Sequence, residues 1–407
     1  GGTVSAGLVA RTAVNTVMSG PASGIIAAAA TSTASGYPNA ITYDMGGTST
    51  DVGLIRDGVP EVSSELKLEY AMPVHVPMVD VHTIGAGGGS IAWIAEDGML
   101  RVGPRSAGAM PGPICYGRGG TEPTITDANL VLGRLNPDKL LGVDHPVTLD
   151  QVGAAILDKV GKRLGLDAEA TAAAILRIAN DRMAGAIRLV SLSRGHDPRD
   201  FALFAFGGAG PLHATALARE LSIPTVLVPA RPGITNALGC VVADLRHDYV
   251  RTVNKPLSAL QDAAIAAIYA EQGREGRATI ESEGVPVREL RYVYSADMQF
   301  AGQSHILSVA VEQPDIGIEG LHKAFAAAYG RRFGIELAEI PPVLVNLHTA
   351  VIGVRPEIDL AALAATERAP TLAAAKIGER RVWFPDGWLQ APVYARDRLP
   401  QIGRAHV

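Results

Sequence analysis

Two short stretches of this sequence carry residue types suited to handling phosphate. Asp44-Met45-Gly46-Gly47-Thr48-Ser49-Thr50-Asp51 sets two adjacent glycines and three hydroxyls between two carboxylates. Adjacent glycines let the backbone approach an anion closely, and the N–H groups of a tight turn grip phosphate oxygens together with nearby hydroxyls. Asp44 and Asp51 can then hold a hydrated Mg²⁺ or orient a nucleophile, since Mg²⁺ takes a few carboxylates along with phosphate and water. The plainer alternative is a hairpin turn whose Asp and Thr side chains only cap the backbone. The second stretch, Gly207-Gly208-Ala209-Gly210-Pro211, lies about 160 residues further on and suits close approach to a nucleoside, or simple reversal of the chain before a helix.

Other reactive residue types are scattered. Asp80, His82, Cys115 and Asp127 surround the run Gly85-Ala86-Gly87-Gly88-Gly89-Ser90, so a metal or substrate pocket built on His82, Gly87, Gly88 and Asp127 is one reading. A scaffold histidine and a buried thiol is the other, and the spacing matches no closed zinc pattern. His75, His196 and His213 sit beside turns or helix starts, where structural hydrogen bonds are expected. Cys240, in the apolar run 238–242, reads as core. Trp93, Trp383 and Trp388 are too far apart in sequence to suggest a stacking platform.

The elements that must position these residues are legible. Ile41-Thr42-Tyr43 and Val52-Gly53-Leu54-Ile55 flank the first turn as a β-hairpin. Residues 83–126 hold too many Gly and Pro for long helices and read as ordered loops around a site. Helices are expected at 149–164, where Thr148 and Gln151 form a capping box, and at 168–192, where Ile175, Ile178, Ala179, Met183, Ile187 and Val190 recur at helical spacing. A strand at 201–206 leads through the second glycine turn into a helix with Pro211 at its start, and a strand at 225–228 follows. This strand, turn, helix, strand order predicts an α/β sheet with helices packed on it. The composition changes at 253–256, where a domain boundary is expected. Beyond it lie an Ala-rich helix at 258–271, a charge-dense solvated helix end at 271–277, and β-type runs at 306–311 and 343–354. The Ala-rich runs 27–30 and 172–174 predict close helix packing.

At 407 residues and 47% hydrophobic, the chain is long enough for two or three domains. A net charge of −5 offers no basic field for a nucleic acid. Two cysteines rule out a disulfide framework and favour a reducing, cytoplasmic home. No apolar run approaches the roughly 20 residues of a membrane span. The sequence starts without Met inside a Gly-rich turn, so an upstream N-terminal segment is expected. The last six residues, Ile402-Gly403-Arg404-Ala405-His406-Val407, look like a non-native tail.

Together, YDMGGTSTD (Tyr43 to Asp51) and FGGAGPLHA (Phe206 to Ala214) resemble the second phosphate motif and the adenosine motif of the superfamily of sugar kinases, heat-shock chaperones and actin. With Ser19-Gly20-Pro21-Ala22-Ser23-Gly24, Thr83 to Ser90, the run 103–120, Pro123 to Asn129 and Arg194-Gly195-His196-Asp197-Pro198, the chain resembles the hydantoinase A/oxoprolinase family. The resemblance implies an actin-like, ribonuclease H-like ATPase fold over residues 1–249, a mixed α/β C-terminal domain over 256–401, and a tail at 402–407. It implies ATP and Mg²⁺, with phosphates on Gly46, Gly47, Thr48, Ser49 and Thr50 and the nucleoside near Gly207, Gly208, Ala209 and Gly210. The implied reaction is ATP-dependent opening of a cyclic amide of the 5-oxoproline, hydantoin or N-methylhydantoin type. The resemblance further implies that the amide oxygen is phosphorylated and that the chain acts as the A-type subunit beside a B-type partner. Relatives that carboxylate ketones with ATP and bicarbonate make a ketone carboxylase subunit the first alternative, and a non-catalytic actin-like nucleotide sensor the second. The sequence departs from the family pattern in lacking a first Asp-x-Gly-Gly-Thr motif before Asp44, and in Gln299, Phe300, His305 and Ile306.

Overall fold

A computed structural model describes residues 2–400 apart from 5, 11, 12, 64, 65, 68–72, 75–77, 141, 142, 144–146, 304, 336–338, 361–368 and 385. His75 and the tail 402–407 lie outside the described residues. The chain forms two compact units. One comprises Met18–Leu66, Met78–Val241 and Asp359–Val407, the other Gly1–Val17, Lys67–Pro77 and Val242–Ile358.

In the first unit, helix α1 (Ser19–Ala34) leads into the hairpin of β1 (Ala40–Met45) and β2 (Thr50–Arg56), followed by β3 (Val59–Pro60). The β2–β3 turn uses Asp57 and Gly58, both at positive φ as a two-residue hairpin requires. Next come β4 (His82–Ile84), β5 (Ser90–Ile94), β6 (Leu100–Ser106), α2 (Ile125–Val131), α3 (Leu149–Ile156) and α4 (Ala168–Val190). Then follow β7 (Ala202–Phe206), α5 (Gly210–Leu221), β8 (Thr225–Leu227) and α6 (Thr235–Val242). The sheet runs β8-β7-β1-β2-β3, with β4 also paired to β2. β7 is parallel to both β1 and β8, while β1 and β2 are antiparallel.

Every residue of β1 and β7 is buried, as helices on both faces of a sheet demand. Ile41, Tyr43, Met45, Leu203 and Ala205 pack with α4 and α5, whereas Ala40, Phe204 and Phe206 pack with Ile25, Ala28 and Ala29 of α1. Small residues set these distances: a Cβ on Gly53 of β2 would stand 2.4 Å from Ile25 Cδ1, and one on Gly239 of α6 1.7 Å from the Ser23 carbonyl oxygen of α1. The expected capping box is present, with Thr148 and Gln151 bonding reciprocally at the start of α3. α3 continues through a π turn, Leu157–Gly161, to Lys162–Leu164. Residues 83–126 do exclude long helices, but they are less loop-like than expected, because β5 and β6 form an antiparallel hairpin within them.

The second unit holds β9 (Leu245–Pro256), α7 (Asp262–Ser282), β10 (Glu289–Phe300), β11 (Leu307–Val311), α8 (Gly317–Phe333) and β12 (Pro342–Val354). They make an antiparallel sheet of order β9-β12-β10-β11, with Ile265 and Tyr269 of α7 and Leu321, Phe325 and Tyr329 of α8 packed on Ala296, Met298, Val309 and Leu347. The composition change at 253–256 falls inside β9, whose pairing with β12 starts at Leu245, so contacts divide the chain near Val242 instead. The charge-dense stretch 271–277 is the middle of α7 rather than its end. Gln272 there is buried, donating to the Leu347 carbonyl and accepting from Thr349.

The last elements, β13 (Lys376–Phe384) and β14 (Gly387–Tyr394), form a hairpin of the first unit, with the Trp383 N–H donating to the Leu132 carbonyl. Trp383 and Trp388 pair edge to face at 5.5 Å, although their separation in sequence suggested independent anchors. Among the described residues, no helix is long and apolar enough to cross a membrane.

Candidate functional site

β1 and β7 are parallel neighbours, so the turns that leave their C-terminal ends, residues 46–49 and 207–210, emerge side by side. That edge is where open α/β sheets place ligands. The turns also touch: the Ala209 N–H donates to the Met45 carbonyl at 2.9 Å. Gly207 has φ of 81°, and a Cβ there would stand 2.3 Å from Asp44 Oδ1 and 2.5 Å from the Met45 carbonyl oxygen, so this position admits only glycine. The Cβ positions of Gly46, Gly47 and Gly208 meet nothing within 4 Å. Packing does not require these three glycines; their bare backbone borders open space.

Residues 85–90 hold the first turn from behind. Gly88 N–H donates to the Gly46 carbonyl at 2.9 Å, Gly89 N–H to the Gly47 carbonyl at 2.6 Å, and Thr50 Oγ1 to the Ala86 carbonyl at 2.5 Å. A Cβ on Gly87 would lie 2.6 Å from the Thr48 and Ser49 nitrogens. Thr126, at the start of α2, donates both its N–H and its hydroxyl to the Gly88 carbonyl. Gly87 and Gly88 are thus buried and shape the phosphate-type turn, instead of lining a substrate surface.

Asp127 does not line that surface either. Fully buried, its carboxylate accepts from the N–H groups of Ile114, Cys115 and Thr124 and from the Thr124 hydroxyl, completing a capping box on α2. Cys115 is buried as expected; burial and the neighbouring Asp127 push its thiol well up, which leaves it inert. His82 lies opposite Val52, and it is the next residue, Thr83, that reaches the site, its hydroxyl donating to Asp51 Oδ1 at 2.5 Å.

Asp44 and Asp51 face each other in the β1–β2 register, and cross-strand partners share a face. Asp44 is 8% exposed and accepts from Asn236 Nδ2 of α6 at 2.9 Å. Burial raises its carboxyl above the usual range, the Asn236 hydrogen bond opposes this, and the Asp51 charge adds to it. Burial likewise raises Asp51, against the hydrogen bond from Thr83. Among the described residues neither carboxylate has an ion-pair partner, and no three His, Cys, Asp or Glu side chains converge to cage a metal. Two carboxylates beside an open glycine turn suit Mg²⁺, which completes its shell with phosphate and water.

The remaining candidates are structural. Asp80 joins an ion cluster away from the two turns: Arg194 pairs with both Asp80 and Glu61, Arg56 Nε lies 3.0 Å from Glu61, and His196 Nε2 3.7 Å from it. His213 is fully buried in α5, with Nδ1 2.8 Å from Asn180 Oδ1 and Nε2 3.2 Å from Asn129 Nδ2. Nδ1 therefore carries the proton and Nε2 accepts; burial, then Arg134, depress its pKa to about 3 and keep it neutral. Cys240 is exposed, contrary to the core expectation, because α6 turns Thr235 and Gly239 inward and leaves the next position outward. Asn236, Thr83 and Thr126 were not among the sequence candidates.

Residues 1–249 match the family model described as hydantoinase/oxoprolinase. The chain is 38% identical over 413 residues to the caprolactamase subunit alpha of Pseudomonas jessenii, covering 99% of this chain and 59% of that protein. Its fold matches the crystal structure of the ATP-dependent caprolactamase from Pseudomonas jessenii, with TM-score 0.77 at 35% identity over 93% of this chain and 55% of that one. It also matches a nucleotide-free acetone carboxylase, with TM-score 0.72 at 27% identity over 93% of this chain and 55% of that one. The fold is the α/β, actin-like class that the motifs imply, and the chain spans little more than half the length of these proteins.

Proposed function

Because the chain belongs to the hydantoinase/oxoprolinase family, we propose that it forms part of an A-type subunit that uses ATP to hydrolyse a cyclic amide. The observation that carries this reading is the pair of adjoining turns at the ends of β1 and β7, open at Gly46, Gly47 and Gly208 and flanked by two carboxylates that have no cationic side chain as a partner among the described residues. In this reading Gly46 to Thr50 bind phosphate oxygens, Asp44 and Asp51 hold a hydrated Mg²⁺ or orient water, and Gly207 to Gly210 approach the nucleoside. Transfer of the γ-phosphoryl group to the amide oxygen turns an unreactive carbonyl into an electrophile for water. Such transfers need chiefly positioning and charge stabilisation, which fixed N–H groups supply.

The likeness to a caprolactamase supports a lactam-type substrate, with 5-oxoproline and hydantoins as the smaller ring candidates. The likeness to an acetone carboxylase supports the second reading, a ketone carboxylase subunit. Both relatives favour an enzyme over a nucleotide sensor, and the subunit name of the first supports a hetero-oligomer with a B-type partner. Phosphate release from Mg-ATP by the full-length protein with that partner tests the proposal. Stimulation by a cyclic amide without bicarbonate is expected. Stimulation only by a ketone with bicarbonate overturns it in favour of the carboxylase, and ATP binding with no stimulation favours the sensor.

A further inference from the structure

We propose that Asn236 is a positioning residue for Asp44, fixing its carboxylate at the mouth of the 46–49 turn. The inference rests on the reading of that turn as the phosphate and metal site. Asn236 Nδ2 donates to Asp44 Oδ2 at 2.9 Å, across 192 residues of sequence. The pair is wedged between two bare Cα atoms. A Cβ on Gly24 would stand 2.0 Å from Asn236 Oδ1, and one on Gly207 2.3 Å from Asp44 Oδ1. Glycine backbone thus bounds each side chain on one flank, and the hydrogen bond sets which way the Asp44 carboxylate faces.

A stability role does not account for the amide. Asn236 Oδ1 is buried without a hydrogen-bond partner among the described residues, which weakens the folded state relative to an apolar side chain of the same shape. What the amide supplies is a neutral donor to an acid that lies opposite a second acid and, among the described residues, has no cationic side chain as a partner. A neutral donor orients the carboxylate and leaves its charge available to a bound cation, where Lys or Arg would cancel it. Supporting groups of this kind are worth about 10- to 100-fold in affinity or activity.

The test uses the full-length protein with its partner subunit and compares Asn236→Leu, Asn236→Asp, Asp44→Asn and the pair Asp44→Asn/Asn236→Leu. For Asn236→Leu the thermal midpoint holds or rises, KM for ATP is unchanged, and kcat falls about 10- to 100-fold. Asn236→Asp keeps the volume but sets a carboxylate against Asp44, lowers kcat at least as far, and carries the test if the leucine variant does not fold. On the Asp44→Asn background, Asn236→Leu changes kcat no further. A midpoint that falls while kcat per folded molecule stays the same overturns the positioning role. Full kcat in Asn236→Leu beside an inactive Asp44→Asn overturns this inference alone, whereas a fully active Asp44→Asn overturns the reading of the site beneath it.

Discussion

The β1–β2 hairpin and its flanks treat acidic residues in two opposite ways. Beyond one end, Glu61 and Asp80 share Arg194, with Arg56 and His196 close by. At the other end, among the described residues Asp44 and Asp51 receive side-chain hydrogen bonds from the neutral donors Asn236 and Thr83, and burial holds both carboxyls above their usual range. Leaving a buried acid facing a half-buried one, with no counter-charge on either among the described residues, is unfavourable for the protein alone. The first arrangement completes itself, whereas on the proposed reading the second is completed by a bound cation. The contrast supports the proposed placing of the site at this end, since rules of stability are broken where function needs them broken.

The sharpest attack on this contrast is to neutralise the open end. Asp44→Asn should reduce amide-stimulated phosphate release by the complete enzyme by about 10²- to 10⁴-fold, the range for groups acting in proton or charge management, with no loss of thermal stability. A next step fills the open space. Gly47→Val should leave the thermal midpoint in place, because nothing lies within 4 Å of the new Cβ, while weakening Mg-ATP binding by calorimetry at least about tenfold.

Arg194→Met attacks the closed end, and there the signs reverse. Stability should drop by about 1–2 kcal/mol, read as a lower denaturation midpoint, with kcat per folded molecule unchanged. The smallest effect is a pH slope. His213 has its pKa depressed from 6.5 to about 3, so its contribution to stability is complete above pH 6.5 and is lost as pH falls toward 3. The loss is at most about 1.4 kcal/mol per pH unit, and urea titrations of His213→Asn should show that slope blunted. Asp44 and Asp51 act in the opposite sense, since groups with raised values lose their contribution as pH rises through them.

Much of the closed architecture was legible because it is local. The apolar runs on either side of Gly46 and Gly47, the capping residues Thr148 and Gln151, and the glycine turn before Pro211 each declare themselves within a few positions. The donors to the acids were not legible, because Thr83 and Asn236 reach Asp51 and Asp44 only through tertiary packing, 32 and 192 residues away. Asp127 was open to a better reading, since Thr124 three residues earlier gives the capping-box spacing that consumes its carboxylate. Cys240 misled because an apolar run does not reveal which helical face turns inward, and the composition change at 253–256 does not show that β9 runs straight through it.

Residues 85–90 grip residues 46–49 largely through peptide N–H and carbonyl groups, which no substitution other than proline deletes. Thr48 and Ser49 are therefore free to drift without deforming the turn, provided Gly87 stays bare. On the proposed reading, side chains at the mouth of the site can change while the same backbone grip is kept, much as a chuck accepts different tools without being recut.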